Sequence, residues 1–265
     1  MKKFSEIGAI ILVLSIVVSA VLVIIISGTR ASHVHYVCLE VNPRVEFLTN
    51  SKHKVESIKP LNDEAHTLLI DEEFVGLEIE EACDKFLDLC LRSGYLRIGG
   101  NNNAVKLSVL SGLNQGLEVT LTRTINKFFV KNNVLGVVID GSQDLQQFKD
   151  ARKAKVDVEK YDLIKAVLEN NNTESFDELK KLSNKKLIEK IEENHKAYSF
   201  KYTPEELENK VALIDFYRTI YENHKNSITS ESTRSFKEKL KEFKSSNTRT
   251  YKIDYEKRYN EWLLS

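Results

Sequence analysis

Two extended runs broken by a single Asn-Pro dipeptide constrain this chain more than any other feature. The stretch is Tyr36-Val37-Cys38-Leu39-Glu40-Val41-Asn42-Pro43-Arg44-Val45-Glu46-Phe47. Val37, Leu39 and Val41 share one side of the first run, and Val45 and Phe47 share one side of the second. That period of two is the pattern of a strand with a buried face. Proline has no amide proton for a ladder and holds its own φ at about −65°, so Pro43 belongs at a bulge, an edge or a turn. His33 to Val41 is therefore read as one strand and Arg44 to Thr49 as the next. A polar turn, Asn50 to His53, leads to a third strand from Val55 to Leu61, and the three suggest an antiparallel meander.

The pattern then becomes helical. Asn62 or Asp63 can cap a short helix ending near Leu69. Glu78 to Ser93 puts Ile79, Ala82, Cys83, Phe86, Leu89 and Cys90 on one face, and Gly94 is placed to end it. Ala104 to Leu110 alternates as a strand, Leu117 to Asn132 is a helix with Leu117, Leu121, Ile125, Phe128 and Phe129 inward, and Val134 to Ile139 is a buried strand. Helices are expected over Gln143 to Lys155 and Asp157 to Asn170. The expected order is β-β-β-α-β-α-β-α, an α+β domain with its helices on one face of a small antiparallel or mixed sheet. Thr203-Pro204-Glu205-Glu206 has a cap, a first-turn proline and an acidic third position, so it opens a helix running to about Lys225. Its expected stripe is Leu207, Val211, Ile214, Tyr217, Ile220 and Tyr221, and a second helix spans about Thr229 to Lys244.

Ahead of the sheet, Ile7 to Ser27 is almost wholly apolar and carries no charge. About 20 such residues span roughly 30 Å of hydrocarbon as a helix. Lys2 and Lys3 precede it, which orients the N-terminus inward and the remainder outside the cell. The run exceeds the roughly 7–15 apolar residues of a cleaved signal peptide, so an uncleaved anchor is expected.

The run Val37 to Glu46, followed by Val55-Glu56-Ser57-Ile58-Lys59-Pro60-Leu61-Asn62-Asp63-Glu64, resembles the extracytoplasmic core of RsgI-type anti-sigma factors. These are single-pass membrane proteins of Gram-positive bacteria, best known as polysaccharide sensors. The family pattern is roughly D-I-N-P-S-I-E, then a strand closing in A-L-N-x-D/E. This chain carries Glu40 for the aspartate and Arg44 for the serine. Lys160-Tyr161-Asp162-Leu163-Ile164 is similar to the family's G-K-Y-x-L-I, with Glu159 replacing the glycine, and Phe176 to Ser183 with Leu187-Ile188 is similar to its closing helices. The resemblance covers about residues 33–194. Family members carry a cytoplasmic sigma-binding domain before the membrane segment. Here the expected cytoplasmic part is only residues 1–6, so the resemblance concerns the sensing half.

The resemblance implies that the Asn42-Pro43 bond breaks by itself. The Asn42 side-chain amide would attack its own backbone carbonyl, form a succinimide and release Pro43 as a new N-terminus. A strained prolyl junction lowers that barrier. Glu40 and Glu46 flank the dipeptide and are candidates for assisting proton transfer to the leaving nitrogen. On spacing alone, Asn42-Pro43 reads as a bulge in an edge strand; it is the resemblance that sets cleavage beside that reading. Cleavage would leave two associated fragments separable by pulling, and would prime an intramembrane protease cascade. The alternative is a structural or adaptor ectodomain at the cell surface that keeps the fold without signalling.

Other chemistries are weakly supported. Lys and Arg total 39 against 39 Asp and Glu, which points to no nucleic-acid partner. Cys38, Cys83 and Cys90 are an odd set, and Cys83 and Cys90 lie too far apart along one helix to bridge. His33 with His35 makes a poor metal site. Gly99-Gly100 lacks the Lys-Ser/Thr ending of a phosphate loop, and no G-x-S-x-G motif marks a serine hydrolase. No cofactor is expected, and turnover catalysis is not. The family's carbohydrate-binding modules are β-rich, whereas Tyr251 to Trp262 reads as helical, so carbohydrate binding is not carried over. The chain thus divides into a cytoplasmic stub (1–6), a transmembrane helix (7–27), a linker (28–32), an α+β core (33–170), closing helices (171–197) and a helical C-terminal extension (198–265). Its expected partners are the membrane, a separately encoded sigma-binding protein and an intramembrane protease.

Overall fold

The Asn-Pro dipeptide lies at the tip of a hairpin between two inner strands. A computed structural model describes residues 35–100, 103–111, 116–141, 145–170, 173–198 and 200–245. Strand β1 (His35–Glu40) pairs antiparallel with β2 (Arg44–Thr49), from His35 opposite Thr49 to Glu40 opposite Arg44. Residues 41–43 are the connection. β3 (Val55–Pro60) extends the meander beyond a bulge at Leu48/Thr49. β4 (Asn103–Ser111) pairs antiparallel with the other edge of β1, and β5 (Gly136–Asp140) pairs parallel with β4. The sheet order is β3-β2-β1-β4-β5, so β1 is central. Of the placements open to Pro43, the structure takes the turn; the edge-strand bulge is corrected.

The two helices expected between β3 and β4 both form: α1 (Asp63–Leu69), capped by Asn62, and α2 (Ile79–Arg92). α3 (Gly116–Lys131) crosses between β4 and β5, and Asn133 at φ 50° stops it in the left-handed conformation that asparagine tolerates. After β5 come α4 (Leu145–Ala154), α5 (Val158–Asn170), α6 (Phe176–Leu179), α7 (Asn184–Ala197), α8 (Pro204–Ser227) and α9 (Ser230–Ser245). The capping box expected at Thr203 forms with Glu206, with Pro204 in the first turn.

The helices cover both faces of the sheet, which corrects the one-face expectation. Val37, Leu39, Val45, Phe47, Val105 and Leu107 pack against α1, α2 and α3. Tyr36, Cys38, Leu48 and Leu110 form a second core with Leu163, Ile164 and Val167 of α5 and Leu187, Ile188 and Ile191 of α7. β1 is therefore buried on alternate sides from His35 to Leu39, as a central strand between two helical layers must be. Each large apolar side chain so buried contributes about 1.5–3 kcal/mol. The expected inner face of α2 is buried at every named position.

The C-terminal helices join the first layer. Tyr221 of α8 belongs to the α2–α3 core, and its hydroxyl donates to Asp88 Oδ1 at 2.8 Å. The buried Lys210 ammonium donates to the Ile70 carbonyl left open at the end of α1, and reaches Glu72 at 3.2 Å. The expected α8 stripe is corrected in part: Val211 and Ile220 are each 51 % exposed, while Lys210 is buried. Among the described residues no helix is long and apolar enough to cross a membrane. The expected span Ile7 to Ser27, its flanks 1–6 and 28–32, and the aromatic tail Tyr251 to Trp262 lie outside the described residues.

Candidate functional site

The hairpin tip holds an asparagine in a conformation that its successor disfavours. Asn42 has φ 126°. Positive φ is uncommon for any residue with a Cβ, and a residue before proline is pressed toward negative, extended φ. Backbone held this way stores on the order of 1–3 kcal/mol and persists only where its surroundings impose it. Here they do. Val41 N–H donates to the Pro43 carbonyl at 3.0 Å, closing the tip, and Leu61 N–H donates to the Arg44 carbonyl at 2.8 Å. Pro43 is buried and Asn42 half-buried.

One side chain from outside the hairpin grips the junction. Asn62, the N-cap of α1, accepts the Ala65 N–H at 3.1 Å and the Arg44 N–H at 2.9 Å on Oδ1. Two amide donors on one oxygen fix which end of the side-chain amide is which. Its Nδ2 then donates to the backbone carbonyl of Asn42, the carbonyl of the Asn42-Pro43 bond.

The two carboxylates singled out from sequence sit in the strand phase that faces α5 and α7. Glu40 lies 3.7 Å from the Arg44 Nε, and Arg44 also reaches both carboxylate oxygens of Glu169 on α5 at 3.3 and 3.2 Å. Glu40 and Arg44 line a cavity of about 260 Å³ with Lys106, Tyr161 and Glu169. Asn42 instead lines a cavity of about 470 Å³ with Tyr95, Arg97, Leu213 and Tyr217. The hairpin tip thus separates two cavities, with the asparagine on one and Glu40 on the other.

Glu46 is wholly buried. Its Oε1 accepts the Tyr36 hydroxyl at 2.7 Å, and its Oε2 lies 3.0 Å from His195 Nε2 on α7. His195 Nδ1 is 2.9 Å from Ser57 Oγ on β3. Burial and the adjacent Glu46 carboxylate push the Tyr36 hydroxyl well above its ordinary range, which keeps it protonated as a donor. This chain of side chains joins β1, β2, β3 and α7.

Sequence reasoning found Asn42 and Pro43 but read Asn62 only as a helix cap, and it did not pair Glu46 with His195. The signal for Asn62 was its place in the Leu61-Asn62-Asp63-Glu64 run that carries the family resemblance. No local pattern could have linked His195 to Glu46. The three cysteines are buried and unbridged. Among the described residues no cluster of three metal-ligating side chains occurs.

Comparison with known proteins bears on this geometry. The model of the anti-sigma factor RsgI-like central domain matches residues 34–166, half of the chain. Among curated proteins, the chain is similar to anti-sigma-I factor RsgI7 of Acetivibrio thermocellus, 27% identical over 149 residues, which is 55% of this chain and 27% of that protein. It is also similar to anti-sigma-I factor RsgI9 of the same organism, 25% identical over 185 residues, 64% of this chain and 25% of that protein. The chain spans about a quarter of the length of these relatives. The class is that of anti-sigma-type regulatory proteins. Through its central domain the chain belongs to the RsgI-like anti-sigma factor family.

Proposed function

We propose that this chain is a single-pass, membrane-anchored regulatory ectodomain whose Asn42-Pro43 bond cleaves itself. The observation that carries the reading is the conformation of Asn42, at φ 126° directly before a buried proline. Strain in the ground state is relieved when the chain parts there, so part of the barrier is already climbed. The cut would fall between two inner strands. Its N-terminal product would keep β1, held in the sheet by β2 and β4 without a covalent link.

That topology suits a tension sensor. β1 is the element nearest the expected anchor at 7–27, and every later element belongs to the other fragment. Pulling the two apart must break both β1 ladders and empty the places of Val37 and Leu39 on one face and Tyr36 and Cys38 on the other. Loss of the outer fragment would expose the membrane-bound fragment to an intramembrane protease, and so release a sigma-binding partner. The cell membrane, with the C-terminal domain outside, is the location this reading requires.

The experiment is expression of the 265-residue chain in a bacterial membrane, followed by denaturing electrophoresis and N-terminal sequencing. The expected result is two fragments, one beginning at Pro43, that co-purify until denatured. One intact band would overturn the reading.

A further inference from the structure

We infer that Asn62 is a catalytic residue of this self-cleavage, donating its Nδ2–H to the oxyanion that develops on the Asn42 carbonyl. The inference rests on the cleavage reading above and adds a residue to it. In the reaction, Asn42 Nδ2 forms a bond to its own carbonyl carbon, and the carbonyl oxygen takes on negative charge in the tetrahedral species. That species collapses as the carbon–nitrogen bond to Pro43 breaks. One proton leaves Asn42 Nδ2 and one arrives on the Pro43 nitrogen, so the step is balanced within the chain. It leaves a C-terminal succinimide on residue 42 and a secondary amine at residue 43. Water later opens the succinimide.

The charge that rises and falls during this step lies on the one oxygen that Asn62 Nδ2 touches. A donor fixed before the reaction stabilises the charged species more than the neutral carbonyl, and it needs no reorganisation to do so. Asn62 meets that condition because its orientation is set from the other end, by the Ala65 and Arg44 amides on Oδ1. Capping α1 and holding Arg44 use only Oδ1. Neither role calls for Nδ2 to lie on the Asn42 carbonyl. A polarised carbonyl is also the better electrophile for a weak amide nucleophile, which needs help at neutral pH.

The roles of the two ends of one side chain can be separated. Asn62→Asp keeps an oxygen for the Ala65 and Arg44 amides and removes the donor. Asn62→Gly removes the whole side chain, and glycine remains an acceptable N-cap residue. The full chain and both variants are translated in vitro into nanodiscs, the folded fraction is isolated by size exclusion, and the appearance of the Pro43 N-terminus is followed with time. Removal of a single oxyanion donor typically slows catalysis by about 100- to 1,000-fold. The expected result is a slowing of that order in both variants, with melting temperatures close to that of the unaltered chain for Asn62→Asp. Either folded variant cleaving at the unaltered rate overturns the role of Asn62 and leaves self-cleavage standing. Failure of the unaltered chain to cleave overturns the parent reading instead.

Discussion

Glu46 on β2 and His195 on α7 face each other at 3.0 Å with neither side chain exposed, although 149 residues separate them in the chain. Tyr36 occupies the other carboxylate oxygen and Ser57 the other ring nitrogen, so the group is closed at both ends. A buried carboxylate is tolerable when its oxygens are satisfied and costly when one partner is lost. His195→Ala strands Glu46, and Glu46→Ala strands both His195 and Tyr36. Each is expected to lower the stability of the folded chain by about 3–5 kcal/mol, read from the shift of the urea midpoint. The double variant is expected to lose much less than the sum. Additive losses would mean that the two residues do not act as a pair.

Cys38 offers a reporter for the central strand. Burial pushes its thiol up to about 12, with the nearby Arg44 opposing and Glu46 adding to the shift. Cys83 and Cys90 are likewise pushed up by burial in the other core. Since the thiolate is the reactive form, none of the three should react with an aromatic disulfide reagent at pH 8 in the folded chain, and all three should react in denaturant. With Cys83 and Cys90 changed to alanine, Cys38 labelling during a urea titration should track departure of the fragment carrying β1. Labelling of Cys38 while both fragments remain together would show that β1 opens without leaving.

The start of β1 should weaken in mild acid. His35 is buried, and burial first, then the neighbouring His53 ring at 5.0 Å, lowers its imidazole below the ordinary 6.5. The unfolded chain then takes up a proton at a higher pH than the folded one. Its contribution is complete above about pH 6.5 and is lost as pH falls through the lower folded value. Melting temperature is expected to fall between pH 7.5 and pH 5. A His35→Gln variant should fall less over that interval. Equal slopes would assign the acid sensitivity to other groups.

Gly94 governs how α8 seats. It has φ 77°, and a Cβ there would overlap the ring of Tyr217. Gly94→Ala is expected to cost at least about 1–2 kcal/mol from backbone conformation alone. It should also lift α8 locally, seen as faster proteolysis between residues 204 and 227. Adding Tyr217→Ala should remove the overlap and slow that proteolysis again. A single variant as resistant as the unaltered chain would show that the loop relaxes around the extra methyl.

Much of this molecule was legible in the order of its residues because the rules involved are local. Alternation marked β1 to β4, the apolar spacing of α2 marked six of its buried positions from Ile79 to Cys90, and Thr203 with Glu206 announced the start of α8. Pro43 alone ensured that the backbone there would be irregular. The second helical layer was hidden for an equally definite reason. A strand buried on both sides carries no contrast between its faces, and Tyr36, Cys38 and Glu46 looked like the solvent phase until α5 and α7 covered them. Which irregularity Pro43 takes, which partner satisfies Glu46, and which donor lies on the Asn42 carbonyl were decided by tertiary structure. Each depends on residues brought together by strand pairing and helix packing across 20 to 149 positions of chain, and no periodicity records that.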